Sequence, residues 1–181
     1  MDIAIAEAIN GFGSGTFIDV LTMIISNYAF IALSILVILV IIFVRDRKKA
    51  KIVVLALVIT LILHFAISEG LIKGLIADNI YFRERPWIAY PGEIIPLGKC
   101  GIDSSFPSSH MSSTVALLTV LILFYRKKIK WILPASILFV LLMGFARIHN
   151  GMHYPSDVLV GAVLGILYGW CAVWLTNRFW K

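Results

Sequence analysis

The chain has 181 residues, of which 60% are hydrophobic and only 14% charged, and its mean hydropathy is +0.95. A soluble domain carries about 25% charged residues, so this composition excludes an ordinary soluble fold and points to the membrane. The formal charge of +6 does not signal a nucleic-acid binder, because the basic residues flank apolar runs, where membrane topology accounts for them better than phosphate-backbone contacts do.

In chain order, residues 2–10 (DIAIAEAIN) read as a short amphipathic helix. The Gly-rich GFGSGT at 11–16 separates it from the next apolar segment. Residues 1–26 are expected to form one interfacial helix plus a partly inserted or spanning piece. They lack the basic, apolar and small-residue order of a cleaved leader. A membrane span needs about 20 mostly apolar residues. Asn27–Val44, Ile52–Ala77, Met111–Tyr125, Trp131–Phe145 and Asp157–Thr176 are the candidates. The predicted fold is therefore all-α: a polytopic transmembrane helical bundle of about five to six membrane helices, forming one unit over residues 1–181. Trp131, Trp170, Trp174 and Trp180 fall near the proposed boundaries, as aromatic belts do. Cys100 in a polar loop and Cys171 in the last span predict no disulfide. No Cys/His spacing suggests a metal, so neither a metal nor another cofactor is expected.

Orientation comes from Lys and Arg. The 45–51 segment (RDRKKAK) carries five, the 126–130 segment (RKKIK) four, and Arg178 and Lys181 end the chain, together eleven of sixteen. The positive-inside rule places these regions in the cytoplasm and the loops 78–107 and 146–156 on the outer face. Arg83, Arg85, Lys99 and Arg147 lie in or beside those outer loops, where the rule gives no reason for them.

Three outer-face clusters converge by this topology: Arg83-Glu84-Arg85-Pro86, Phe106-Pro107-Ser108-Ser109-His110, and the stretch from Arg147 through His153 to Asp157. Phosphate-ester cleavage needs fixed cationic donors, which Arg supplies in bidentate form, and free N–H groups, which a helix start after Pro107 offers. A neutral imidazole can attack phosphorus, and a second can protonate the leaving oxygen. Asp157, four residues after His153, shares its face if both sit on one helical turn. Taken singly, each residue also has a plain structural reading. The arginines could be headgroup anchors, Ser108 an N-cap, Asp157 dipole compensation and His153–Asp157 a satisfied pair. Their joint clustering at three helix ends favours a site.

On these residues the chain resembles the type-2 phosphatidic acid phosphatase superfamily, which also includes vanadium haloperoxidases. That pattern is Lys-x6-Arg-Pro, then Pro-Ser-Gly-His, then Ser-Arg-x5-His-x3-Asp. Arg85-Pro86, Pro107-Ser108-Ser109-His110 and Arg147-x5-His153-x3-Asp157 match it in order. Position 78 holds Asp where the pattern has Lys, and Lys73 is five residues off register. Ser109 replaces Gly, and Ala146 replaces Ser. The resemblance implies that Arg85, Ser108, Ser109 and Arg147 hold phosphate, His110 is the acid, His153 the nucleophile that becomes phospho-histidine, and Asp157 its orienting group. Arg83 is the candidate for the missing positive charge.

Tyr81-Phe82-Arg83-Glu84-Arg85-Pro86-Trp87 is similar to the first motif of the bacitracin-resistance-type undecaprenyl-diphosphate phosphatases within that superfamily. This implies undecaprenyl diphosphate hydrolysis at the extracytoplasmic face of a bacterial cell membrane, with a membrane lipid phosphate as the expected partner. Phosphatidylglycerophosphate or phosphatidate hydrolysis is the alternative within the class. A small transporter or flippase is the alternative outside it and would place polar groups near mid-membrane. Glu69 and Lys73 (i, i+4) read as a charge pair, His64 as a hydrogen-bonding group between helices, and His149 and Lys99 as residues outside the motifs.

Overall fold

A computed structural model describes residues 1–77 and 79–179, apart from the side chain of Lys48. The motif position at Asp78, the belt position at Trp180 and the basic end at Lys181 lie outside the described residues. The elements are α1 (Asp2–Gly11), α2 (Phe17–Ile25), α3 (Tyr28–Arg45), α4 (Arg47–Leu63, continued by a π-helical stretch His64–Ala77), α5 (Pro86–Ala89), α6 (Ser109–Tyr125), α7 (Ile132–His149) and α8 (Pro155–Phe179). Among the described residues four helices are long and apolar enough to cross a membrane: Tyr28–Arg45, Lys49–Ala77, Ile132–His149 and Pro155–Phe179. The fifth, α6, has 17 residues, about 26 Å at 1.5 Å per residue. At nine residues α2 reaches only about 14 Å, less than half of a hydrocarbon core, so the segment after the Gly-rich break does not span.

Helix ends are set by local chemistry. The Asn27 carboxamide accepts from the Ala29 N–H at 2.8 Å and starts α3; the Asp46 carboxylate accepts from the Lys49 N–H at 3.1 Å and starts α4. One residue, Asp46, thus ends α3 and opens α4, forcing a tight hairpin. The basic segments meet at this end: Lys49 Nζ donates to the Phe124 carbonyl at 3.0 Å, and Lys128 lies 4.0 Å from Asp46. The opposite end gathers the start of α6, the end of α7 and the start of α8.

The closest packing is α8 against α6. Gly161, Gly165 and Gly169 recur every four residues on one face of α8. A Cβ on these glycines would stand 2.7 Å from the Ser108 carbonyl oxygen, 2.5 Å from that of Ser112 and 2.5 Å from that of Ala116, respectively. Only glycine lets the two backbones approach so closely, the small-residue packing typical of membrane helices. The outward faces carry exposed Leu33, Leu36, Phe65, Leu138, Leu141, Leu159 and Val163, as lipid contact requires.

Candidate active site

The ends of four helices and the loops between them enclose a cavity of about 240 Å³. Tyr28 enters from α3, Glu69 and Lys73 from the π-helical end of α4, Ser109 and His110 from α6 and Arg147 from α7. Arg85, Lys99, Cys100, Asp103 and His153 enter from the loops between helices. The first four amides of a helix have no intrahelical acceptor. In α6 the first bond inward is Ser112 N–H to the Ser108 carbonyl, so the helix start lies beside the cavity with free donors.

His153 is buried in the turn that Gly151, with φ of +70°, allows between α7 and α8. Its Nδ1 lies 2.7 Å from the Ser105 carbonyl oxygen. That carbonyl can only accept, so Nδ1 carries the hydrogen and Nε2 keeps its lone pair. Arg85 Nη1 is 3.4 Å from Nε2. Burial, followed by the positive charges of Arg147, Arg85 and Lys73, holds the His153 imidazole well below the usual histidine range. The result is a neutral ring whose Nε2, met only by the long contact from Arg85, turns to a cationic cavity.

Three hydrogen bonds fix Arg85 in place at the cavity. Its Nε and Nη2 donate to the Asp103 carbonyl (3.1 Å) and carboxylate (2.7 Å), and its Nη1 to the Met152 carbonyl (3.0 Å). The other Asp103 oxygen accepts from Lys73 Nζ at 2.9 Å. Burial alone would raise the Asp103 pKa, but Lys73 and Arg85 outweigh it and hold this carboxyl at about 2. Arg147 is buried, its Nε has no partner, and no carboxylate pairs with it among the described residues. The Ser109 hydroxyl is likewise unpartnered. A buried, unpaired guanidinium beside an unpartnered hydroxyl is costly unless an anion completes the site. His110 faces the same cavity and stacks on Tyr28, with ring centroids 3.7 Å apart.

Arg85, Ser109, Arg147, His110 and His153 are thus brought together. The other three expected residues are placed differently. Ser108 is buried beside the cavity rather than lining it, and its N–H donates to the Asp157 carbonyl at 3.2 Å. Asp157 Oδ2 is 3.9 Å from His153 Nδ1, too far for a hydrogen bond. That oxygen accepts from the Tyr154 N–H at 2.9 Å instead, so Ser105 is the direct acceptor for His153. Arg83 turns away from the cavity. Its guanidinium lies against Asp157, Ser156 and Asp2 instead, and these partners hold it on the far side of the loop from the cavity.

Lys73 is the residue that sequence reasoning left out. It stands in the cavity twelve positions before Arg85, and its partner is Asp103, not Glu69. Glu69 instead approaches His64 Nε2 at 3.8 Å. The signal was present, as a buried lysine at the outer end of a span is itself a functional marker, but motif spacing pointed to position 78. Asp103 and Ser105 gave no signal; their roles come from contacts across long sequence separation. His64 does bridge helices, 3.1 Å from the Ser112 hydroxyl of α6. His149 is buried against Asp19 (2.9 Å) and the Ile9 carbonyl (2.9 Å), away from the cavity.

A groove of about 540 Å³ runs between α3, α4 and α6, lined by Ile31, Ile35, Val54, Leu57, Val58 and Leu61 among others. Tyr28, Glu69 and Ser109 line both groove and cavity, so an apolar channel within the helices opens onto the cationic cavity.

Spans, cavity and groove together describe a multi-pass membrane enzyme with an anion site at one end of its bundle. The pattern of the PAP2 superfamily matches residues 66–181. Undecaprenyl-diphosphatase BcrC of Bacillus subtilis (strain 168) is 30% identical over 172 residues, covering 93% of this chain and 81% of that protein. Two solved structures share the fold. The crystal structure of Aquifex aeolicus LpxE has a TM-score of 0.71 at 23% identity, covering 95% of this chain and 94% of that one. That of the first transmembrane PAP2 type phosphatidylglycerolphosphate phosphatase from Bacillus subtilis has a TM-score of 0.72 at 21% identity, covering 99% and 86%. The chain belongs to the PAP2 superfamily and is a membrane lipid phosphatase.

Proposed function

We propose that the protein hydrolyses undecaprenyl diphosphate to the monophosphate and inorganic phosphate, at the extracytoplasmic face of a bacterial cell membrane, through a phospho-histidine on His153. The observation that carries this reading is the setting of His153. Its Nε2 lone pair faces a cavity bearing Lys73, Arg85 and Arg147, at the end of an apolar groove suited to a lipid tail. Similarity to an undecaprenyl-diphosphatase over nearly the whole chain supports the substrate. Gathering of the basic segments at the end away from the cavity supports the face.

In this mechanism Arg85, Arg147, Lys73, the Ser109 hydroxyl and the amides opening α6 hold the terminal phosphate oxygens. His153 Nε2 attacks the terminal phosphorus in line. The bond to the bridging oxygen breaks, and His110 gives that oxygen its proton, releasing the lipid monophosphate. Water then attacks phosphorus with His110 taking its proton, the P–N bond breaks, and inorganic phosphate leaves. Ser108 shapes this site as the residue that opens α6 and ties it to α8. As the P–N bond forms the imidazole becomes cationic. A carboxylate 3.9 Å behind it is worth about 4 kcal/mol at an effective dielectric of 20, so Asp157 acts as a charge partner across the ring while the Ser105 carbonyl fixes the tautomer.

The test is phosphate release by purified protein from undecaprenyl diphosphate and from phosphatidylglycerophosphate, with chelator present. Turnover of the diphosphate is expected to exceed that of the glycerolipid and to vanish in His153→Ala together with acid-labile labelling of the enzyme by substrate phosphate. Faster turnover of the glycerolipid would overturn the substrate, and labelling that survives in His153→Ala would overturn the nucleophile. Cys100 lines the cavity, so its labelling in intact cells by an impermeant thiol reagent tests the face.

A further inference from the structure

Behind His153, on the side away from the cavity, lies a second charged cluster that the phosphate chemistry does not use. Arg83 Nη1 donates to Asp157 Oδ1 at 2.6 Å and to the Ser156 hydroxyl at 2.8 Å. Its Nη2 donates to Asp2 Oδ2 at 2.6 Å, and its plane lies over the Tyr154 ring at 4.1 Å. Asp2, from the first turn of α1, also accepts from the Ser156 N–H at 3.1 Å and from the Ser156 hydroxyl. Burial would raise the Asp2 pKa, but the hydrogen bonds from Ser156 and Arg83 outweigh it and keep this group an anion. The same arginine also supports the Nδ1 side of the histidine through its main chain. Its carbonyl accepts from the Ser105 N–H at 2.8 Å, and the Ser105 carbonyl holds His153 Nδ1.

We propose that Arg83 and Asp2 are positioning residues, forming a chain Asp2–Arg83–Asp157 by which the N-terminal helix fixes the Asp157 carboxylate behind the nucleophile. This rests on the reading of His153 as nucleophile. The geometry excludes a phosphate contact, since Arg83 spends its guanidinium on two carboxylates and a hydroxyl and does not line the cavity. A buried carboxylate with one oxygen on a backbone N–H needs a charge-assisted partner on the other to stay ionised. Arg83 supplies it, and Asp2 holds the other side of the guanidinium and so sets its angle. The cluster carries one positive and two negative charges, a net negative field behind a ring that becomes cationic in the transition state, while Lys73, Arg85 and Arg147 stand in front. The N-terminal segment is in this way a working part of the site, also tied to it by Asn10, whose side chain donates to the Ile95 and His149 carbonyls at 2.8 and 2.6 Å.

The experiment uses the purified full chain and its best lipid phosphate substrate, with kcat and the inhibition constant of vanadate, a phosphate mimic, both measured. Arg83→Gln is expected to lower kcat about 100-fold, the cost of roughly 1 Å of misplacement, while vanadate binding changes less than about threefold. Arg83→Lys restores part of kcat. Asp2→Ala lowers kcat several-fold with vanadate binding again unchanged, and it keeps the proposal testable if Arg83→Gln fails to fold. In an Asp157→Asn background, Arg83→Gln adds little, because both act through one group. Loss of vanadate affinity in step with kcat would instead make Arg83 a phosphate ligand and overturn the proposal. Unchanged kcat in both Arg83→Gln and Asp2→Ala, or losses that multiply with Asp157→Asn, would also overturn it. If His153→Ala retains turnover, the nucleophile reading fails, and that result is distinct from any of these.

Discussion

Gly165→Ala tests the link between helix packing and chemistry. A Cβ at this position would meet the Ser112 carbonyl oxygen at 2.5 Å, Val115 Cβ at 2.8 Å and the Ala116 nitrogen at 2.9 Å. None is the free end of a flexible side chain, so α8 and α6 must part to restore ordinary contact, by roughly 1 Å if separation near 3.5 Å is to be regained. Overpacking of this kind costs about 1–3 kcal/mol of stability. The parting also moves Ser109 and His110, at the start of α6, away from His153, just before the start of α8, and a 1 Å misplacement costs about 100-fold in rate. Thermal unfolding in detergent and phosphate release on the same preparation read the two effects. Gly11→Ala is the control, since a Cβ there meets nothing within 4 Å. Wild-type stability and turnover in Gly165→Ala would refute the idea that this contact sets the register of the site.

Lys73→Ala removes a cation that Asp103 holds in the cavity; a charge-assisted bond of about 1.5–3 kcal/mol predicts a loss of about 10–150-fold in kcat/KM. Lys99→Ala, at an exposed position on the rim, is expected to cost less than about threefold, a contrast that steady-state kinetics on both variants checks. The depressed pKa of His153 has a definite sign. The folded chain takes up this proton only well below the usual value of about 6.5, so the ring stays neutral and nucleophilic as pH falls through that value. Stability from this group is present above about 6.5 and is lost as pH falls further, because the unfolded chain protonates first. The acid limb of kcat/KM attributable to His153 is therefore expected below 6.5, and a His153 ring that titrates at 6.5 in the folded protein, followed by NMR of labelled histidine, would contradict it. Val58 faces the groove and is about half exposed, so Val58→Trp leaves the fold intact while filling the channel. It is expected to lower kcat/KM for a long-chain lipid diphosphate at least tenfold and to spare a short water-soluble phosphate ester, a comparison made on one enzyme preparation.

Periodicity and charge made the helices legible. The five expected spans appear as α3, α4, α6, α7 and α8 with ends displaced by a few residues, mainly because the outer polar clusters join the helices instead of preceding them. Arg147 thus sits on the last turn of α7, and Ser109 and His110 on the first of α6. The motifs located the cavity residues Arg85, Ser109, His110, Arg147 and His153 for the same reason: each lies next to a helix end, and alternating helices bring like ends together. Lys73 escaped that logic. It lies on a π-helical stretch whose i→i+5 bonding alters the face on which each residue falls, so spacing along the chain ceased to report position in space.

By itself the sequence determined an all-helical membrane bundle, the end at which its polar groups collect and the pair of imidazoles placed there, because span length, flanking charge and spacing are properties of the chain. Only the tertiary structure decided which group each of those residues touches. It gave His153 Nδ1 to the Ser105 carbonyl, turned Arg83 from the cavity to Asp157 and Asp2, and put Lys73 on Asp103. These partners stand 48, 74, 81 and 30 positions apart. A contact over that distance is set by how closely α8 can lie on α6 and where the loops then fall, which no local pattern encodes.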